Sequence, residues 1–376
     1  MTTPRRPLTT ADLAPLARAA LGRDRALTGV ERLRGGTKKG VYRLTLDDDS
    51  TAVAYVWSAD EDYWGRPDPD PRDVFSHGTG LGLFTAAHDR LTAAGARTPR
   101  LHYADSTHTH LPADAAVVED LTGGSLEDAL ARDPEGAPEA MERMAELLAT
   151  LHSHTGPRFG KVAVVDNGGS SYGDSCEQRV TEGALRSVAE AAAREPRAAA
   201  ARRELEEEIH VLAAEVRPRD RHTLVHGELG ADHVLLTPDG HPALIDIEGL
   251  MYVDVEHEHV FLRLRFGPHY DALRPPRPGR GPSAPVPPGH AHRPGLGPAD
   301  PDRGRLPAPG PDAGDRGTQP PPGAQPAEER LLIFEPSHTS GSYLRSTARS
   351  FSGISALSVI LMPSGQTSVQ HLVMLQ

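Results

Sequence analysis

The chain has 376 residues and a formal net charge of −12, with 38% hydrophobic and 5% aromatic residues. This length suits two or three domains, or one two-lobed domain with an appendage, and the low apolar content predicts that part of the chain does not pack. The acidic balance disfavours nucleic acid and anionic lipid as partners and favours cationic solutes, while a single cysteine, Cys176, excludes an intrachain disulfide and a cysteine-based zinc site.

Residues 1–24 form an N-terminal segment whose 10–22 stretch reads as a helix, with Thr10 placed to cap it and Gly22 to stop it. Arg5-Arg6 is followed by no apolar run, and Ile354–Met362 is about half of the ~18 residues a membrane span needs, so a cytoplasmic protein with no membrane association is expected. Three strands are predicted at Val30–Leu33, Val41–Leu46 and Thr51–Trp57, the first two joined by Gly35-Gly36-Thr37-Lys38-Lys39-Gly40. A polar loop, Ser58–Asp73, precedes a helix at Thr79–Ala94. Further strand signals lie at Arg100–Tyr103 and Ala115–Glu119, and Ser125 with Asp128 resembles a helix cap.

From here the pattern becomes mainly helical. Met141, Met144, Leu148 and Leu151 form a stripe on a helix of about Glu139–His154, and Gly173–Val216 is helical with a break at Pro196. Thr223–Val225, Val234–Leu236 and Ala243–Ile247 are apolar runs, the last two separated by the turn Pro238-Asp239-Gly240. Between Pro275 and Pro326 lie 17 of the 35 prolines and ten glycines, so 275–326 is expected to be disordered and 327–376 is a tail with a weak strand-like pattern. The charge divides at the same place. Residues 1–274 hold 31 Lys+Arg against 45 Asp+Glu (−14) and residues 275–376 hold 9 against 7 (+2). A native linker and an out-of-frame reading near codon 274 of a GC-rich gene both produce such a change, and translating the other two frames separates them.

The chemistry concentrates in Leu224–Leu250, where His226-Gly227-Glu228-Leu229 is followed by His233-Val234-Leu235-Leu236 and Leu244-Ile245-Asp246-Ile247-Glu248-Gly249. Acids and imidazoles at both ends of a hairpin can place a carboxylate beside an attacking hydroxyl and oxygen ligands around Mg²⁺, the needs of phosphoryl transfer. This order resembles the aminoglycoside phosphotransferase family, whose pattern H-G-D-L-x-x-x-N is followed about thirteen residues later by I-D. By that resemblance Glu228 stands at the catalytic Asp, His233 at the metal-binding Asn and Asp246 at the second metal-binding Asp, with spacings of five and thirteen residues.

The resemblance covers about residues 25–274. It implies an α+β, two-lobed, protein-kinase-like fold, with a small antiparallel-sheet lobe at 25–118 that binds nucleotide and a mainly helical catalytic and acceptor lobe at 119–274. The implied activity is an ATP- or GTP-dependent O-phosphotransferase acting on a small hydroxylated, amine-bearing molecule such as an aminoglycoside-like antibiotic. Glu228 is the implied catalytic carboxylate. Gly35, Gly36, Thr37, Lys38, Lys39 and Gly40 would cover the phosphates, and Glu119 and Leu121 would bind the base at the hinge. Asp246, His233 and Asp232 are the candidate Mg²⁺ ligands, Asp232 because Mg²⁺ prefers oxygen to the His233 nitrogen. Oligomeric state is not legible.

Three departures bear on activity. Glu228 is one methylene longer than Asp, about 1 Å of displacement, which can cost ~10²-fold. His233 is an unusual Mg²⁺ ligand. The family's third-strand lysine is replaced by Tyr55, leaving Lys38, Lys39 or Arg43 to reach the phosphates, and its helix glutamate partner is absent because the helix offers Thr85 and Asp89. These departures also admit a kinase-shaped binding module without turnover. His226 is expected to shape the catalytic loop by hydrogen bonding, and Glu256-His257-Glu258-His259 to form a polar helix face. Trp57, Tyr63 and Trp64 are candidates to stack an acceptor, burial being their commoner fate.

Overall fold

The computed structural model describes residues 7–34, 36, 38–63 and 68–274, together with three short strands nearer the C-terminus. Helix α1 (Thr10–Leu21) is capped by Thr9 rather than Thr10: the Thr9 hydroxyl accepts from the Asp12 amide, and Asp12 accepts in return from the Thr9 amide at 2.8 Å. The cap falls one residue early because only Thr9 keeps the extended backbone, φ −102°, that a capping box requires.

Strands β1 (Leu27–Arg32), β2 (Gly40–Leu46), β3 (Thr51–Trp57), β4 (Leu101–Asp105) and β5 (Asp114–Glu119) form one antiparallel sheet in the order β1-β2-β3-β5-β4. The two-residue period of β3 divides its side chains between two cores. Ala52, Ala54 and Val56 pack with Leu13 and Leu16 of α1, whereas Val53 and Tyr55 pack with Phe84 and Leu91 of α2 (Leu81–Ala94). Buried on both faces, β3 reads as a continuous apolar run.

The second lobe follows β5 with α3 (Leu126–Arg132), capped by Ser125 as expected, and α4 (Ala137–His152), which buries Met141, Met144, Leu148 and Leu151. Short strands β6 (Thr155–Gly156) and β7 (Gly160–Lys161) and helix α5 (Val162–Val165) lead to α6 (Cys176–Arg194) and α7 (Pro196–Glu215), separated at Pro196. Strands β8 (His222–Val225) and β11 (Met251–Val253) join β6 and β7 in a four-stranded sheet. Between them, β9 (Val234–Leu236) and β10 (Pro242–Leu244) make the expected hairpin, and α8 (Val255–Phe266) closes the lobe.

Residues 68–80, placed with the small lobe by chain order, dock on the helical lobe. Val74 is fully buried beside Val180, Ile209, Val225 and Met251. The Lys161 ammonium, 1% exposed, donates to the carbonyls of Val74 (3.1 Å) and Ser76, and Tyr172 holds Asp70 (2.6 Å) and the Arg72 carbonyl (2.9 Å). Gly78 passes so close to Glu248 that a Cβ there would lie 2.4 Å from its carbonyl oxygen.

Helix α8 corrects one expectation. His257, Glu258 and His259 are all buried rather than forming a polar face, because α8 packs among β8, Phe75 and Tyr270: His257 lies against the Phe75 ring, Glu258 accepts two backbone amides and His259 meets Tyr270. The expected disorder of 275–326 lies outside the described residues. So does most of the 327–376 tail, apart from β12 (Leu332–Ile333), β13 (Ser358–Leu361) and β14 (Leu372–Leu375), paired antiparallel in the order β12-β14-β13. Among the described residues no helix is long and apolar enough to cross a membrane.

Candidate active site

The loop from His226 to His233 is fixed from beneath. Glu258 accepts the His226 and Gly227 amides at 3.2 and 2.8 Å, tying the start of the loop to α8. Because a carbonyl only accepts, His226 donates through Nε2 to the Ile245 carbonyl (2.8 Å) and His233 through Nδ1 to the Glu228 carbonyl (3.0 Å). The two imidazoles stack at 5.8 Å. Burial, then the nearby His233, pushes His226 down to about 4, so it stays neutral and shapes the loop as the sequence suggested.

Glu228 stands at the open mouth of this loop and is exposed there. Its carboxyl is raised from the ordinary value by partial dehydration in the cleft and then by the charge of Asp246. Arg265 donates to the Glu228 carbonyl (2.6 Å) and to both oxygens of Asp232 (2.7 and 2.6 Å). Asp232 is therefore engaged by a guanidinium, and His233 keeps its Nε2 3.7 Å from both Asp232 and Asp246.

Asp246, two residues past β10, has a left-handed conformation, φ 57° and ψ 48°, unusual outside glycine and most tolerated by Asp and Asn. The turn swings its carboxylate into the cleft. There Lys39 reaches it from the glycine turn with an Nζ to Oδ1 distance of 2.9 Å, and Lys39 also contacts Glu248. The ammonium lies 5.2 Å over the Tyr55 ring. Lys39 holds Asp246 far below the usual carboxylate range, whereas burial raises Glu248 from its ordinary value. Burial alone would lower the Lys39 ammonium, but Asp246 and Glu248 outweigh it and hold it well above its ordinary value. Tyr55 is pushed up to about 12 by burial and remains a neutral phenol.

Of the three cations considered for the phosphates, Lys38 pairs with Asp62 (2.9 Å) and Asp68 (3.3 Å), and Arg43 pairs with Asp120 (2.7 Å) beside the hinge. Only Lys39 joins the Asp246 cluster. Within the glycine turn, Gly36 has φ 69° and Gly40 opens β2, while Gly35 and Thr37 lie outside the described residues. At the hinge, Glu119 is committed to Arg97 (2.7 and 2.9 Å) and the Arg100 amide (3.0 Å), and Leu121 is buried. Trp57 packs with Tyr55 and Phe84, Tyr63 is exposed beneath Arg32, and Trp64 lies outside the described residues.

The donors fit a Mg²⁺ ion, which prefers oxygen ligands. Asp246 keeps one oxygen beyond its Lys39 contact, and the buried Oε2 of Glu248 has no hydrogen-bond partner among the described residues. Among those residues no three His, Cys, Asp or Glu side chains converge as a protein-only metal cage. Glu248, Arg265 and Lys161 were not singled out from sequence, and Glu258 was read there only as part of a polar helix face. The repeated acid two residues after Asp246 was the one available signal; the others depend on contacts at long sequence separation.

The model of the phosphotransferase enzyme family (APH) matches residues 29–275. The class defined by the two lobes and their cleft is therefore that of the kinase-like phosphotransferases. The chain belongs to this family, the aminoglycoside phosphotransferase family that its motifs resemble. Solved structures similar to it include a spectinomycin phosphotransferase, APH(9)-Ia, in complex with ADP and spectinomycin, at 11% identity and a TM-score of 0.49, covering 71% of this chain and 79% of that one. The GDP and kanamycin complex of APH(2")-IIia is 17% identical with a TM-score of 0.46, covering 68% and 79%. No curated protein matches.

Proposed function

We propose that the chain is an ATP- or GTP-dependent, Mg²⁺-assisted O-phosphotransferase of the cytoplasm, acting on a small hydroxylated, amine-bearing molecule of the aminoglycoside type. The observation that carries this reading is the meeting of Glu228, Asp246 and Lys39 in one cleft of a chain that belongs to this family. Glu228 accepts or orients the hydroxyl proton, and dehydration and Asp246, by raising its carboxyl, make it a stronger base. Mg²⁺, when bound, neutralises charge on the transferring phosphoryl group. Asp246 would hold it, with His233 and Asp232 as neighbouring candidates. The glycine turn lies over the phosphates, and the backbone near Glu119–Leu121 receives the base. The net −14 of residues 1–274 favours an amine-bearing acceptor.

The test is consumption of the γ-phosphate of ATP and GTP, with Mg²⁺, against a panel of aminoglycosides and other hydroxylated amines, with mass detection of the phosphorylated product. One acceptor should raise consumption and gain one phosphate. A second reading, nucleotide binding without turnover, is favoured by Glu228 and His233 at positions where the family carries Asp and Asn. A Mg²⁺-dependent melting shift without product from any acceptor identifies it.

A further inference from the structure

The small lobe presents a buried ammonium where its third strand has none. Tyr55 on β3 faces the α2 side of the sheet, and its register partner on β2 is Val41, so the turn entering β2 runs beside it. Lys39, one residue before β2, is 7% exposed although it belongs to a turn. A buried lysine needs opposite charge, and both of its carboxylate partners come from the segment after β10, 207 and 209 residues away. The Tyr55 ring supports the ammonium with its face. Helix α2 supplies no acid to the cluster: Thr85 is bound to the Leu81 carbonyl at 3.0 Å, and the side chain of Asp89 is 83% exposed beside His88.

We infer that Lys39 is the cation that holds the nucleotide's phosphates, that Glu248 is its anchoring partner, and that this pair takes the place of a third-strand lysine and a helix glutamate. The inference rests on the nucleotide-binding part of the proposed function and assigns its charge to a particular residue. The two carboxylates differ in the way such a device requires. Glu248 has a side chain 4% exposed and is a fixed partner, while that of Asp246, 47% exposed, is the one a phosphate-bound cation can take over. Lys38 and Arg43 are committed to Asp62, Asp68 and Asp120, so neither duplicates the role.

Binding of ATP and AMP to the full chain, measured by calorimetry with EDTA and again with Mg²⁺, separates a phosphate contact from a structural one. Lys39→Ala should weaken ATP about tenfold or more in EDTA while AMP changes less than about twofold. Adding Tyr55→Lys to that variant should recover most of the loss, since it returns an ammonium to the same face. Unchanged ATP binding in Lys39→Ala, or equal loss of ATP and AMP, overturns the inference while leaving the nucleotide reading intact. A wild-type chain that binds neither ATP nor GTP overturns both. Should Lys39→Ala not melt cooperatively, the folded Lys39→Ala/Tyr55→Lys chain decides: an ATP-to-AMP preference like that of wild type supports the inference, and its loss overturns it.

Discussion

On the small-lobe wall of the cleft a buried ammonium, Lys39, is balanced by two carboxylates that arrive from the other end of the chain. On the opposite wall a fully buried carboxylate, Glu258, is balanced by two backbone N–H groups of the His226–His233 loop. The two solutions have different evolutionary freedom. A long, flexible lysine can be supplied from any strand that passes near the carboxylates, so its place in the sequence can move while its place in space stays. Amide groups point where the backbone puts them, so a carboxylate that accepts them is fixed to one helix position. On the proposed reading of Lys39, this freedom lets the turn before β2 supply the ammonium that lies over Tyr55 of β3.

The largest test of the contrast is Asp246→Asn, a substitution the left-handed backbone tolerates. If Asp246 serves the metal, turnover should fall by at least ~10³-fold and the Mg²⁺-dependent melting shift should vanish with the fold intact. An unchanged Mg²⁺ response would leave Asp246 as a partner of Lys39 alone.

The loop wall is tested by Glu258→Gln. Burial pushes the Glu258 carboxyl up to about 7, above its unfolded value, although the His226 and Gly227 amides pull it down. The folded state therefore binds the proton more tightly than the unfolded state does. The resulting stability is fully present below about pH 4.3 and is lost as pH rises towards 7, about 4 kcal/mol across that window. Urea unfolding at several pH values should show a wild-type slope that the Gln variant lacks. Parallel profiles would show that Glu258 stays ionised in the fold.

Glu228→Gln should lower turnover by ~10²-fold with little change in nucleotide affinity, the mark of an interaction made in the transition state. Glu228→Asp should also be impaired if the loop is built around the longer side chain, so an Asp variant faster than wild type would show that it is not. The smallest expected effect lies far from both walls: Thr9→Ala removes the cap of α1 and should lower stability by about 1 kcal/mol in urea, with turnover unchanged.

Most of the fold was legible because period carries it. The alternation of β2, the 3-4-3 stripe of α4, Ser125 before α3 and the Pro-Asp-Gly turn between β9 and β10 are local signals, each arising from one element burying one face. Helix α8 was misread because it is enclosed on several sides, and its polar residues are inside for reasons that sit on other elements. The same distance hid part of the site. His226, Glu228, His233 and Asp246 were found by spacing, whereas Lys39 was one of three candidates until its partners were in place. Arg265 could not have been read from the chain, since it finds the Glu228 carbonyl and Asp232 across 37 and 33 residues.

The anchoring of residues 68–80 also bears on how the cleft can open. A rigid rotation of the sheet away from the helices would have to pull Val74 from its apolar socket, at a cost of roughly 1.5–3 kcal/mol, and break the Lys161 bonds to two carbonyls. Rotation that leaves this segment with the helices avoids that cost. Such a rotation would leave two chain crossings between sheet and helices, one at Glu119–Leu121 and one ahead of Asp68, so the sheet would turn about an axis set by both rather than by a single hinge.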